Sequence, residues 1–198
     1  MKNMSKTTPI IFTHGAGTSI YSDTLQEFHT HLSKHQFQPS GFNFDYMQTI
    51  LDTNKRRPPE KMDKLIEQFN QQLINHPKTT CIAGKSMGGR VATLLAAQAK
   101  ARHLEISHVF VWGYPFFAPK KNEPRIEHFN DIQAQVHIFQ GTRDSFGKPD
   151  QINKLDLPNN IHIHWIEGAD HDFNMPKRSN LSKTEIINNI CQKMRHVL

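Results

Sequence analysis

Thr79-Thr80-Cys81-Ile82-Ala83-Gly84-Lys85-Ser86-Met87-Gly88-Gly89-Arg90-Val91-Ala92 passes from a short apolar run through Gly-x-Ser-x-Gly into small residues that continue to Ala101. Strand, turn and helix in that order are the setting in which this pentapeptide forms a nucleophile elbow. The turn strains the serine and lifts its hydroxyl above the end of the strand. Gly84 and Gly88 carry no side chain and so let strand and helix approach closely. The pentapeptide alone is cheap, because glycine is common. Its placement gives it weight, and Ser86 is the candidate nucleophile.

Outward from this stretch the chain alternates. Short apolar runs occur at Pro9 to Thr13, Gly41 to Asp45, Thr80 to Gly84, His108 to Gly113, Val136 to Gly141 and Ile161 to Gly168. Most are too uniformly apolar to alternate between core and water, which suits strands buried on both faces of a parallel sheet. Between them, Ser22 to His35 places Leu25, Phe28 and Leu32 on one helical face. Pro59 to Asn75 does the same with Met62, Leu65, Ile66, Phe69 and Leu73, with its proline in the first turn. Ser86 to Ala101 is the elbow helix. Ser182 to His196 presents Ile186, Ile187, Ile190 and Met194, with Ser182 and Glu185 spaced as a capping box. Tyr114 to Gln135 is irregular, with at most a short helix around Ile126 to Ile132. This rhythm predicts a three-layer α/β architecture of about six mostly parallel strands with helices on both faces and no lid domain.

The 198 residues suit one domain, 1–198, with 1–8 as a flexible start. A net charge of +6 admits nucleic acid as a partner. The 24 Lys and Arg are nevertheless spread along the chain, and the densest groups, Lys55-Arg56-Arg57 and Lys120-Lys121, sit beside prolines. They read as solvated surface, so neither nucleic acid nor membrane is an expected partner. Two cysteines, Cys81 and Cys191, make no disulfide framework, and Met1 to Pro9 resembles no signal peptide. The expected compartment is the cytoplasm.

In such a sheet, functional groups gather in the loops that leave the carboxyl ends of the strands. Those loops carry His14-Gly15-Ala16-Gly17, Ser86, Tyr114-Pro115-Phe116, Asp144 and His171 in turn. A serine hydroxyl needs a base to take its proton, and a carboxylate to orient that base. His171 is the candidate base and Asp144 the acid, with Asp150, Asp170 and Asp172 as competitors. An oxyanion needs N–H donors: Met87, just after the nucleophile, and Ala16 in the first loop, with Gly15 as runner-up. His14, Tyr114, Phe116, Phe117, Phe146 and Phe173 are candidates to line a substrate pocket. Lys85 either contacts a neighbouring loop or reaches solvent; Arg143 either braces its loop or binds an anionic group. Gly84-Lys85-Ser86 lacks the upstream glycine of a phosphate-binding loop. His31 with His35, and His162 with His164, lack a convincing metal set, so no metal is expected.

Thr13-His14-Gly15-Ala16-Gly17, Gly84-Lys85-Ser86-Met87-Gly88-Gly89-Arg90, Gly113-Tyr114-Pro115, Gln140-Gly141-Thr142-Arg143-Asp144-x-Phe146-Gly147 and Gly168-Ala169-Asp170-His171-x-Phe173 together resemble a branch of the α/β-hydrolase superfamily. The branch comprises small hydrolases related to the testis-expressed 30 protein and to a hydrolase-like subunit of the NSL histone-acetyltransferase complex. It is distantly similar to dienelactone hydrolases. The resemblance implies a compact α/β-hydrolase fold and a Ser86–Asp144–His171 triad. Phe116-Phe117-Ala118-Pro119 departs from the Leu- and Pro/Gly-rich continuation of that branch. The expected function is cofactor-independent cleavage of a small-molecule ester, thioester or related acyl compound, of carboxylesterase or thioesterase type. The alternative is a hydrolase-fold binding or scaffold protein.

Overall fold

Six strands form one sheet in the order β2-β1-β3-β4-β5-β6, and every neighbouring pair is parallel. They are β1 (Thr8–Thr13), β2 (Phe37–Phe42), β3 (Cys81–Lys85), β4 (His108–Trp112), β5 (Gln135–Gly141) and β6 (Ile161–Ile166). The computed structural model describes residues 7–198. Of the segment 1–8 expected to be flexible, residues 1–6 lie outside these described residues, and Thr8 opens β1.

Side chains alternate along a strand, and here both faces are covered. Ile11, Ile82, Val109, Val111, Val136 and Ile138 belong to one buried cluster, with Leu65, Ile66 and Phe69 of α3 (Met62–Asn75) and Val91 and Leu95 of α4 (Met87–Ala97). Ile10, Phe12, Cys81, Ala83, Phe110, Trp112 and Phe139 form the other. Leu25, Phe28 and Leu32 of α1 (Asp23–Lys34) and Ile187, Ile190 and Met194 of α6 (Lys183–His196) complete it. The α6 capping box is formed: Glu185 N donates to Ser182 Oγ (3.2 Å), and Ser182 N donates to Glu185 Oε2 (2.8 Å). This is the expected three-layer α/β architecture, and among the described residues no insertion forms a lid domain.

Several elements differ from expectation. β2 lies four residues earlier than Gly41 to Asp45, because an edge strand can carry the polar Gln38 and Ser40 and the donor-less Pro39. The freed Asp45 then opens a helix absent from the sequence reading, α2 (Asp45–Thr53), which buries Tyr46 and Met47. Pro59 precedes α3 by three residues, α4 stops at Ala97, and the Ile126 to Ile132 region holds only a 3-10 turn, Phe129–Asp131. A one-turn helix, α5 (Pro149–Ile152), follows β5. Among the described residues no helix is long and apolar enough to cross a membrane.

Candidate active site

β3 delivers Ser86 to the carboxyl rim with φ 51° and ψ −114°, a conformation that costs a non-glycine residue about 1–3 kcal/mol. The strain is held at both ends of the residue. Ser86 N donates to Trp112 O at 3.1 Å, and Ser86 O accepts from Arg90 N at 3.0 Å. Close packing explains the glycines. A Cβ on Gly84 would stand 2.3 Å from the Gly88 carbonyl carbon, and one on Gly88 would stand 2.6 Å from His14 O.

His171, on the loop after β6, meets this serine. Its Nε2 lies 2.9 Å from Ser86 Oγ and its Nδ1 lies 2.7 Å from Asp144 Oδ2. A carboxylate only accepts, so Nδ1 carries the proton and Nε2 is free to accept the serine hydroxyl. Asp144 is fully buried. Its Oδ2 also accepts from Gln140 Nε2 at 2.8 Å and its Oδ1 from Phe146 N at 2.8 Å. The competing acids are occupied elsewhere. Asp150 is exposed in α5. Asp170 Oδ1 accepts from the N–H groups of Asp172 and Asn174, and Asp172 pairs with Lys85.

The loop after β1 is pinned from within. Phe44 N donates to His14 Nε2 at 3.0 Å, so the His14 proton sits on Nδ1 and is donated to Gly15 O at 2.7 Å. Burial pushes the His14 imidazole down to about 4, so it stays neutral. Tyr46 Oη donates to Ala16 O at 2.9 Å. With the Gly15 carbonyl turned inward, the planar trans peptide sends the Ala16 N–H the opposite way, and Ala16 is exposed at the rim. Met87 opens α4, so its N–H belongs to the first helical turn, whose donors have no partner inside the helix.

A family profile described as alpha/beta hydrolase domain matches residues 6–198. This chain belongs to that family. Solved structures agree in fold at low identity. Est1E from Butyrivibrio proteoclasticus superposes with a TM-score of 0.70 at 13% identity, over 99% of this chain and 90% of its own. The lid-less serine hydrolase XC6422 of Xanthomonas campestris gives 0.65 at 15%, over 100% and 86%. A dienelactone hydrolase of Anabaena variabilis gives 0.62 at 17%, over 98% and 88%.

Within this α/β-hydrolase the expected pocket shrinks. Tyr114, Phe116, Phe173 and His14 are fully buried and line no open site. Tyr114 Oη donates inward to Arg125 O at 2.7 Å, and the Phe173 ring packs 6.1 Å from that of Phe28. Aromatic residues on a short loop turn into the core, where burying them stabilises most. Phe146 and Phe117 remain half-buried at the rim. The Phe146 ring centroid lies 4.6 Å from that of His171, and Phe117 N donates to Phe146 O at 2.9 Å. Arg143 braces its loop, donating from Nη1 to Gly168 O at 3.2 Å. His31 and His35 both meet Asn188 Oδ1 of α6, at 3.1 and 3.0 Å.

Two residues around the site, Gln140 and Tyr46, hold roles that the sequence analysis does not assign to them. Gln140 accepts from Tyr114 N at 2.8 Å while its amide nitrogen reaches Asp144, so it orients the acid. Its signal was a polar residue inside an apolar strand. Tyr46 carried no signal, because α2 was not expected. Of the two alternatives for Lys85 the structure shows the loop contact, with Nζ 3.1 Å from Asp172 Oδ1 on the loop after β6.

Proposed function

We propose that this protein is a serine hydrolase that cleaves a small ester, thioester or related acyl bond. Ser86 Oγ attacks the substrate carbonyl carbon while His171 Nε2 takes its proton. Asp144 stabilises the imidazolium that forms. The N–H groups of Met87 and Ala16 receive the developing oxyanion. Collapse of the tetrahedral intermediate breaks the bond to the leaving group, which departs with the proton from His171. Water then gives a proton to His171 and attacks the acyl-serine, releasing the acid and restoring Ser86.

The continuous hydrogen-bonded run Ser86–His171–Asp144 carries this reading. Short loops at the rim and the absence of an inserted lid favour compact acyl groups over long chains. The motif resemblance supports membership of the small branch related to the testis-expressed 30 protein, acting on a soluble substrate in the cytoplasm. The free, buried Cys81 and Cys191 suit that reducing setting.

A fluorophosphonate probe, which reacts only with an activated serine, tests the reading. Wild type should label, and Ser86→Ala should not. Hydrolysis of p-nitrophenyl acetate should fall about 10⁴-fold or more in Ser86→Ala. Folded wild-type protein that fails to label would instead mark a binding or scaffold module.

A further inference from the structure

Lys85 closes β3 with a side chain only 6% exposed, and its Nζ lies 3.1 Å from Asp172 Oδ1, a side chain that is 63% exposed. A buried ammonium is a costly occupant of a strand end, where a methionine would fill the same volume without desolvation. Fold alone does not demand it, because the loop bearing Asp172 is already anchored by the fully buried Phe173 next along the chain. What distinguishes the pair is its address. Lys85 immediately precedes Ser86, and Asp172 immediately follows His171. The ion pair therefore ties together the two segments whose reacting atoms must meet, on a route independent of Asp144.

Taking Ser86, His171 and Asp144 as the reacting set proposed above, we infer that Lys85 and Asp172 are positioning residues for His171. Lys85 holds the histidine loop against the elbow and occupies a carboxylate that would otherwise compete with Asp144 for the imidazole. The charges around the pair fit this role. Burial pushes the Lys85 ammonium down, while Asp172 and Asp144 pull it back up and Lys183 opposes them. Burial pushes the Asp172 carboxyl up, yet Lys85, His171 and Lys183 together hold it below the usual carboxylate range. Opposite charges 3.1 Å apart thus stand on the residue before Ser86 and the residue after His171. Lys183, whose Nζ lies 3.5 Å from Asn174 Oδ1, adds a more distant cation from the start of α6.

Four proteins test this: wild type, Lys85→Met, Asp172→Asn and the double variant. Two readouts are taken on each, the fluorophosphonate labelling rate against pH and the titration of the His171 imidazole followed by NMR. Lys85→Met leaves Asp172 uncompensated, so the imidazole titration and the acid limb of labelling should move to higher pH. Asp172→Asn removes the anion and should move both to lower pH, and the double variant should return both near their wild-type pH while its plateau labelling stays slow. Labelling at the plateau should slow about 10- to 100-fold in Lys85→Met, the cost of a misplaced catalytic group, with KM for p-nitrophenyl acetate unchanged. Asp172→Glu keeps the charge and should restore both readouts. It also replaces Asp172→Asn if an unpaired buried ammonium prevents that variant from folding, in which case Lys85→Met against Asp172→Glu decides.

A purely structural strut would lower the melting temperature without separating the two titrations. Shifts in the same direction, or none, with labelling rates at the wild-type level, overturn the inference. Variants that shift the NMR signal in opposite directions beside a wild type that does not label overturn the acyl-enzyme reading instead, since the NMR readout needs no activity.

Discussion

Asp144 has no solvent around it and accepts from His171, Gln140 and the Phe146 N–H. It leaves the tip of β5, whereas Asp150 faces water, Asp170 is engaged by the Asp172 and Asn174 N–H groups, and Asp172 pairs with Lys85. Asp144→Asn should therefore slow fluorophosphonate labelling by about 10⁴-fold, since an amide in that place favours the wrong tautomer of His171. Asp150→Asn should leave the rate unchanged. Gln140 works one step behind. Gln140→Leu removes the hydrogen bond donated to Asp144 and leaves the buried Tyr114 N–H without an acceptor. It should lower unfolding free energy by about 1–3 kcal/mol in urea and slow labelling as well. A Gln140→Leu protein of wild-type stability and rate would show that the acid needs no support from β5. That Ser86, Asp144 and His171 meet at one rim was readable because their order along the chain matches the order of strand ends. The phenylalanines were not, because a pattern of residue types does not say whether a loop side chain turns inward.

At the scale of elements, the elbow depends on two backbones in near contact. A methyl group at Gly84 would overlap the Gly88 and Gly89 backbone at 2.3 to 2.5 Å, so α4 would have to lift from β3. Gly84→Ala should cost about 3 kcal/mol or more, read as a large fall in melting temperature, and should abolish labelling. Gly17→Ala is the matched control, because nothing lies within 4 Å of the added carbon. Equal melting temperatures for the two variants would refute the close-packing account. The central strands were legible because burial on both faces leaves uniformly apolar runs. β2 and α2 were not, since an edge strand tolerates Gln38, Pro39 and Ser40, and its true position alone frees Asp45 to start a helix. Missing α2 hid Tyr46, and with it the hydroxyl that holds the loop after β1 from behind.

Across the whole molecule, several histidines are kept neutral in places where an unfolded chain would protonate them. Burial pushes His14, His128 and His164 down to about 4 and His137 down to about 3. His108, His137, His162 and His164 share one sheet face across β4, β5 and β6. His137 lies within 6.0 Å of each of the other three rings, and its Nδ1 is 3.0 Å from His164 Nε2. Lys193 of α6 adds a further positive charge against His137 and His164. A base whose folded value is depressed binds fewer protons in the native state than in the unfolded one. Stability is therefore full above the unfolded value of about 6.5 and drains away as pH falls toward about 4. For a fully buried imidazole such as His14 the slope approaches about 1.4 kcal/mol per pH unit in that window. Urea midpoints measured at pH 7, 6 and 5 should fall in steps, and His137→Gln should flatten the decline because the ladder then loses its central titrating ring. A midpoint that holds constant from pH 7 to 5 would mean that His14, His128, His137 and His164 accept protons within the fold, and their neutrality would have to be abandoned.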